Sequence, residues 1–197
     1  MMLNIVLFGP PGAGKGTQSE MIISKYHLTH LSTGDLFRKH MSEGTELGIL
    51  AQKYMDEGNL VPDEVVIRMV ELKVKNEDHT PGFIFDGVPR TVNQAKALDI
   101  LLNNMGQPIS AMIILDVDEE ELKKRILLRG IDSGRSDDQD EEKINNRIRV
   151  YNEETLPVTE YFEKQNKLYK INGVGTVDEI FQNICKVIDN LLINLNE

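Results

Sequence analysis

Lys15 and Thr17 close a glycine-rich run, Gly9-Pro10-Pro11-Gly12-Ala13-Gly14-Lys15-Gly16-Thr17, that directly follows the apolar segment Leu3-Asn4-Ile5-Val6-Leu7-Phe8. Strand, glycine-rich turn and helix, in that order, is the context in which a phosphate cradle works. Gly9, Gly12 and Gly14 open backbone angles closed to other residues, so successive N–H groups can converge on anionic oxygens. A helix opening near Lys15 adds its unpaired donors and its positive end. Lys15 brings a point charge for outer phosphates, and Thr17 a hydroxyl that can face a metal ion. The generic motif has Ser or Thr immediately after the Lys. Here Gly16 stands there and Thr17 comes one place later.

Arginines recur where further anionic groups would have to be held: Arg38, Arg90, Arg125, Arg129, Arg135 and Arg147. Arg125 and Arg129 are four apart on a helical pattern and so share a face. A solvated salt-bridge face explains that pair as well as a phosphate clamp does. Arg90 is different, because it lies in Asp86-Gly87-Val88-Pro89-Arg90-Thr91 at the end of an apolar run. A carboxylate there can hold magnesium through water, and the arginine after it can reach a phosphate. The competing reading of Asp86 is a helix cap or turn former. Asp116 also ends an apolar run, and there a capping role is favoured.

These groups need a frame. Apolar runs at residues 5–8, 28–32, 82–86, 111–117 and, more weakly, 168–171 read as strands. Helical patterns lie between them: one over residues 15–25, one opening at Gly34, one started by Pro62-Asp63-Glu64. The last spans residues 176–195, with Val177, Ile180, Phe181, Ile184, Val187, Ile188, Leu191, Leu192 and Leu195 at helical spacing. Thr176 and Glu179 form its capping box. Continuous apolar strands alternating with helices predict an α/β fold whose parallel sheet is covered on both faces, with ligands at the carboxyl ends of the strands. That places the turn after Phe8, residues 32–35, residues 86–90 and the segment after Val117 on one rim. Residues 33–61 are helical in pattern yet glycine-bearing, which suits a small flap. Gly130-Ile131-Asp132-Ser133-Gly134-Arg135-Ser136-Asp137-Asp138 reads as an exposed mobile loop.

The 197 residues fit one domain with a full core. A net charge of −10 argues against a nucleic-acid or anionic-membrane surface, so a phosphate ligand must be held by locally gathered cations. Cys185 is the single cysteine, which excludes an internal disulfide and a cysteine-cluster zinc site. Without a basic-then-apolar leader or a run of membrane-spanning length, the chain reads as intracellular, cytoplasmic and soluble.

Five motifs occur in the order seen in adenylate kinases: the run at residues 9–17, Ser32-Thr33-Gly34-Asp35-Leu36-Phe37-Arg38, Gly58-Asn59-Leu60-Val61-Pro62, residues 86–91 with Gln94, and residues 134–138. The resemblance covers essentially the whole chain, and the Gly16-Thr17 ending is what that family's pattern requires. It departs at Val88, where the family usually has Phe. The resemblance implies a P-loop nucleotide kinase fold: a five-stranded parallel sheet with helices on both faces, a helical AMP-binding flap at residues 33–61 and a short lid at residues 129–138 in one kinase domain spanning residues 1–197.

It also implies roles. Lys15 resembles the lysine bridging ATP phosphates, with Gly12, Ala13, Gly14, Gly16 and Thr17 making loop contacts and the main chain near Gly175 bordering the ATP adenine. Thr33, Arg38, Leu60, Val61, Gly87, Arg90 and Gln94 look like the AMP site. Arg125 and Arg129 resemble the ATP-side arginines; Arg135 and Arg147 resemble those gripping the transferred phosphoryl and the AMP phosphate. Magnesium would arrive with the nucleotide, Asp86 acting through water, and a lid this short carries no zinc. The implied reaction is MgATP + AMP ⇌ 2 ADP in a monomer, with no nucleic-acid or membrane partner. The nearest alternative is a UMP/CMP kinase of the same fold, whose members usually show Ala and Asn at the positions of Thr33 and Gln94. A guanine-nucleotide switch fails on Asn166-Lys167-Leu168-Tyr169, which lacks the Asp that reads guanine.

Overall fold

The computed structural model describes residues 2–77, 79–133, 138 and 140–196. Five parallel strands form its sheet: β1 (Ile5–Phe8), β2 (Thr29–Ser32), β3 (Phe83–Asp86), β4 (Ala111–Asp116) and β5 (Leu168–Asn172), in the order β2-β3-β1-β4-β5. The α/β class and the fully parallel sheet are as expected from the apolar runs. Between the strands lie α1 (Lys15–Tyr26), α2 (Thr33–Ser42), α3 (Glu46–Met55), α4 (Asp63–Lys75), α5 (Val92–Asn104), α6 (Glu119–Ser133), α7 (Glu141–Val150), α8 (Val158–Glu163) and α9 (Val177–Asn196). A π-helical turn, Tyr151–Thr155, continues α7.

The two-residue period of a strand divides the core. Val6, Phe8, Phe83, Phe85, Met112 and Ile114 point to one face, against residues of α2, α3, α4, α5 and α8. Ile5, Leu7, Ile84, Ile113 and Leu115 point to the other, against Ile22 of α1, Leu122 of α6 and Ile180, Ile184 and Ile188 of α9. Each fully buried side chain of this size contributes about 1.5–3 kcal/mol, and burial on both faces is why the strands read as unbroken apolar runs. The α9 capping box forms: Thr176 N–H donates to Glu179 Oε2 at 2.9 Å and Glu179 N–H to Thr176 Oγ1 at 3.2 Å.

Two details differ from the sequence reading. The segment expected to be loop from residue 129 opens as the last turn of α6, through Ser133. Gly130 is a glycine of close approach rather than a breaker, since a Cβ there would sit 2.5 Å from the Asp138 carbonyl oxygen. The cap of α6 is Asp118, whose Oδ1 accepts from Glu121 N–H at 2.9 Å, and not Asp116. Gly134, Arg135, Ser136, Asp137 and the Leu195 side chain lie outside the described residues.

Candidate active site

The carboxyl ends of β1, β2 and β3 open into one cleft of about 480 Å³. Its floor is the turn between β1 and α1. Gly12, at φ +83°, lies so close to α6 that a Cβ would meet Ile126 Cγ1 at 2.8 Å. Beside Gly14 and Gly16, by contrast, nothing lies within 4 Å of where a Cβ would stand, so this stretch of backbone faces open space. Lys15 Nζ donates to Gly9 O at 2.8 Å and Pro10 O at 3.0 Å, which parks the cation over the loop. Burial lowers the Lys15 ammonium to about 8; Arg90, Arg129 and Arg147 push the same way against the opposing pull of Asp86.

Six cations line this cleft: Lys15, Arg38, Arg90, Arg125, Arg129 and Arg147, against three carboxylates, Glu20, Asp35 and Asp86. In a chain of net charge −10 that is a deliberate local concentration of positive charge. Burial raises the Asp86 carboxyl, but His30, 3.9 Å away, and the charges of Lys15 and Arg90 outweigh it and hold it below the usual range. Asp86 therefore stays ionised at neutral pH.

Each arginine is braced. Arg38 pairs with Asp35 on the same turn of α2. Arg90 Nε donates to Gly87 O at 2.9 Å, a carbonyl that also accepts from Thr33 Oγ1 at 2.9 Å. Arg125 joins Glu121 Oε1 at 2.7 Å and Gly173 O at 3.1 Å, so it makes the salt bridge of a solvated face and lines the cleft at once. Arg129 Nε and Nη2 donate to Asp138 at 2.6 and 2.8 Å, and Arg147 Nη1 reaches the same carboxylate at 2.5 Å. Asp138, its side chain fully buried, thus ties α6 to α7.

A family model described as adenylate kinase matches residues 7–167. An adenylate kinase of Flavobacterium psychrophilum is 54% identical over 190 residues, covering 96% of this chain and 100% of the relative. Those of Flavobacterium johnsoniae and Bacteroides fragilis are 53% and 50% identical over the same coverage. The chain belongs to the adenylate kinase family. It is accordingly a nucleoside monophosphate kinase of the adenylate type, and the UMP/CMP kinase alternative is set aside.

Against this adenylate kinase frame the expected site residues divide. Gly12, Ala13, Gly14, Lys15, Gly16, Thr17, Arg38, Leu60, Asp86, Gly87, Arg90, Arg125, Arg129 and Arg147 all line the cleft. Thr33, Val61 and Gln94 are buried behind its wall, at 2%, 6% and 1% exposure, and Gly175 lies outside it. Arg135 is outside the described residues. The lining also includes groups that sequence reasoning passed over, notably Tyr151 and Thr155. Both sit on the π-helical turn, which widens the helix and re-aims side chains. In the sequence they look like the continuation of α7, so no signal marks them. Asp138 was visible as the end of the motif at residues 134–138, but nothing in its residue type says which arginines it would meet.

No helix among the described residues is long and apolar enough to cross a membrane.

Proposed function

We propose that this cleft binds ATP and AMP together and transfers the terminal phosphoryl group by direct, in-line displacement: MgATP + AMP ⇌ 2 ADP. The observation that carries the reading is the ring of six cations around a glycine-rich strand-to-helix turn in an otherwise acidic chain. The attacking group is a phosphate oxygen of AMP, already anionic, so no side-chain base is required. The protein's work is to align two phosphate chains and neutralise the charge spread over the moving phosphoryl group. Lys15 stands between the two chains, Arg125 and Arg129 hold the ATP side, and Arg38, Arg90 and Arg147 the AMP side. Arg135 completes the set. Gly175 borders the ATP adenine; Thr33, Leu60, Val61, Gly87 and Gln94 surround that of AMP.

The residues present fit magnesium. Asp86, ionised, and Thr17 line the same cleft, and no three His, Cys, Asp or Glu among the described residues gather closely enough to hold an ion alone. That donor set suits an octahedral ion bound to phosphates and water rather than to a protein cage. Bound with the nucleotide, magnesium would supply charge neutralisation; Asp86 would hold it through water and the Thr17 hydroxyl would face it. Closure of the flap (residues 33–61) and the lid (residues 129–138) excludes water, which would otherwise accept the phosphoryl group. One chain supplies every charged group of the cleft, so a monomer suffices, and we place it in the cytoplasm.

The test is ADP formation from ATP and magnesium with AMP, CMP, UMP or GMP as acceptor. AMP should be preferred by at least about a hundredfold in kcat/KM. Comparable turnover of UMP or CMP would overturn the assignment of the acceptor pocket.

A further inference from the structure

Asp63 opens α4, and nothing in the reaction calls for it. Its carboxylate nevertheless bridges two residues of the turn that carries Arg90. Oδ1 accepts from Gln94 Nε2 and Oδ2 from Thr91 Oγ1, both at 2.8 Å. Thr91 Oγ1 in turn accepts from Gln94 N–H at 3.0 Å, which caps α5. The other end of the Gln94 amide is held as well, because Oε1 accepts from Arg90 N–H at 2.7 Å. The residue is 1% exposed.

This arrangement permits one orientation of the amide. A carboxylate only accepts and a backbone N–H only donates, whereas the two ends of a glutamine amide are nearly identical in shape. Turned over, the buried amide would face Asp63 with an oxygen and Arg90 N–H with an NH₂ group, leaving both of these part-buried contacts mismatched. In the orientation held, Oε1 keeps one lone pair and Nε2 one N–H, in a fixed plane. A 6-aminopurine offers a donor at N6 and an acceptor at N1; a 6-oxopurine offers the reverse, an acceptor at O6 and a donor at N1–H. A glutamine free to turn could match either edge. A locked one matches one.

We infer that Asp63 is a positioning residue for base selection: it locks the Gln94 amide in the sense that reads a 6-aminopurine monophosphate and rejects the 6-oxopurine. The inference rests on the proposed role of Gln94 at the AMP base. The lock explains why both amide ends are spent on the protein while the residue still serves recognition, and it gives the Asp63–Thr91 contact a purpose beyond starting two helices.

The experiment compares kcat/KM for AMP and for inosine 5′-monophosphate in the parent, Asp63→Ala, Asp63→Ser, Asp63→Asn and Gln94→Ala. Loss of the charged acceptor should lower the AMP:IMP ratio about tenfold in Asp63→Ala. Asp63→Ser, which keeps a polar helix start but is one bond too short to reach Gln94, should do the same and guards against a folding failure of the alanine variant. Asp63→Asn retains an oxygen for Gln94 Nε2 and should keep the ratio within about threefold of the parent. A purely structural Asp63 would slow both acceptors alike and leave the ratio unmoved, which overturns the inference. Gln94→Ala separates the two layers. If it collapses the ratio while both Asp63→Ala and Asp63→Ser preserve it, the lock is wrong and the reading of Gln94 survives. If Gln94→Ala itself leaves the ratio intact, both fall.

Discussion

Replacing Asp138 by Asn asks whether arginines from two helices owe their placement to one carboxylate. The Asp138 side chain has no exposed surface, while Arg129 and Arg147 retain 35% and 17% exposure. Asparagine keeps the shape but removes the charge and turns one acceptor into a donor, which must then face a guanidinium N–H. Stripping one partner from a fully buried ion pair costs about 3–5 kcal/mol. Both arginines reach water here, so screening reduces the expected loss to about 2–3 kcal/mol. For a chain of this length that is a fall in melting temperature of roughly 5–10 °C. With the two guanidiniums no longer held, turnover should drop on the order of 10²-fold.

The pH dependence has a definite sign. Burial alone would raise the Asp138 carboxyl, but the hydrogen bond from Arg129 and the charges of Arg129 and Arg147 outweigh it and hold it below the ordinary 3.8. A folded-state value below the unfolded one stabilises fully above the unfolded range and is lost as pH falls through the folded value. The gap between parent and variant should therefore be constant near neutrality and close in acid. Thermal unfolding followed by circular dichroism, alongside the coupled ADP assay, measures both effects. An Asp138→Asn protein that melts with the parent at neutral pH and turns over at the parental rate would show that something else positions these arginines.

Lys15→Met should leave the melting curve essentially unchanged and cut turnover on the order of 10²–10³-fold. Because burial brings the parent ammonium to about 8, ATP affinity by titration calorimetry should weaken as pH rises through that value in the parent and not in Lys15→Met; identical pH profiles would contradict the role given to this charge. Gly130→Ala tests the close approach at the end of α6. An ordinary helical Gly→Ala change stabilises by about 1 kcal/mol, whereas a Cβ 2.5 Å from the Asp138 carbonyl oxygen should destabilise by about 1–3 kcal/mol, so the sign of the melting shift decides. Its effect should also fail to add fully to that of Asp138→Asn, since one presses on the backbone and the other alters the side chain of the same residue.

The sheet and the phosphate loop were legible in the sequence because their causes are local. Ile5–Phe8 and residues 111–115 are apolar along their length because both faces are buried, and an unbroken apolar run needs no partner to be read. The glycines at 9, 12 and 14 mark their turn by what their backbone allows. Thr176 and Glu179 cap α9 within a single turn. What the sequence could not decide depends on pairs brought together from afar. Gly130 carries the signature of a loop, yet its real constraint is the Asp138 backbone packed against it. Asp63 looks like a good acidic start to α4, and only the docking of α4 beside α5 reveals it as the partner of Gln94, 31 positions away. Gln94 itself, chosen as an open reader of a base, has both amide ends engaged by the protein. The sequence alone thus determined the residue types able to bind and move a phosphoryl group, since composition and spacing set chemistry. The tertiary structure decided which of them share hydrogen bonds, because a carboxylate's role is set by the donors that folding places within three ångströms of it.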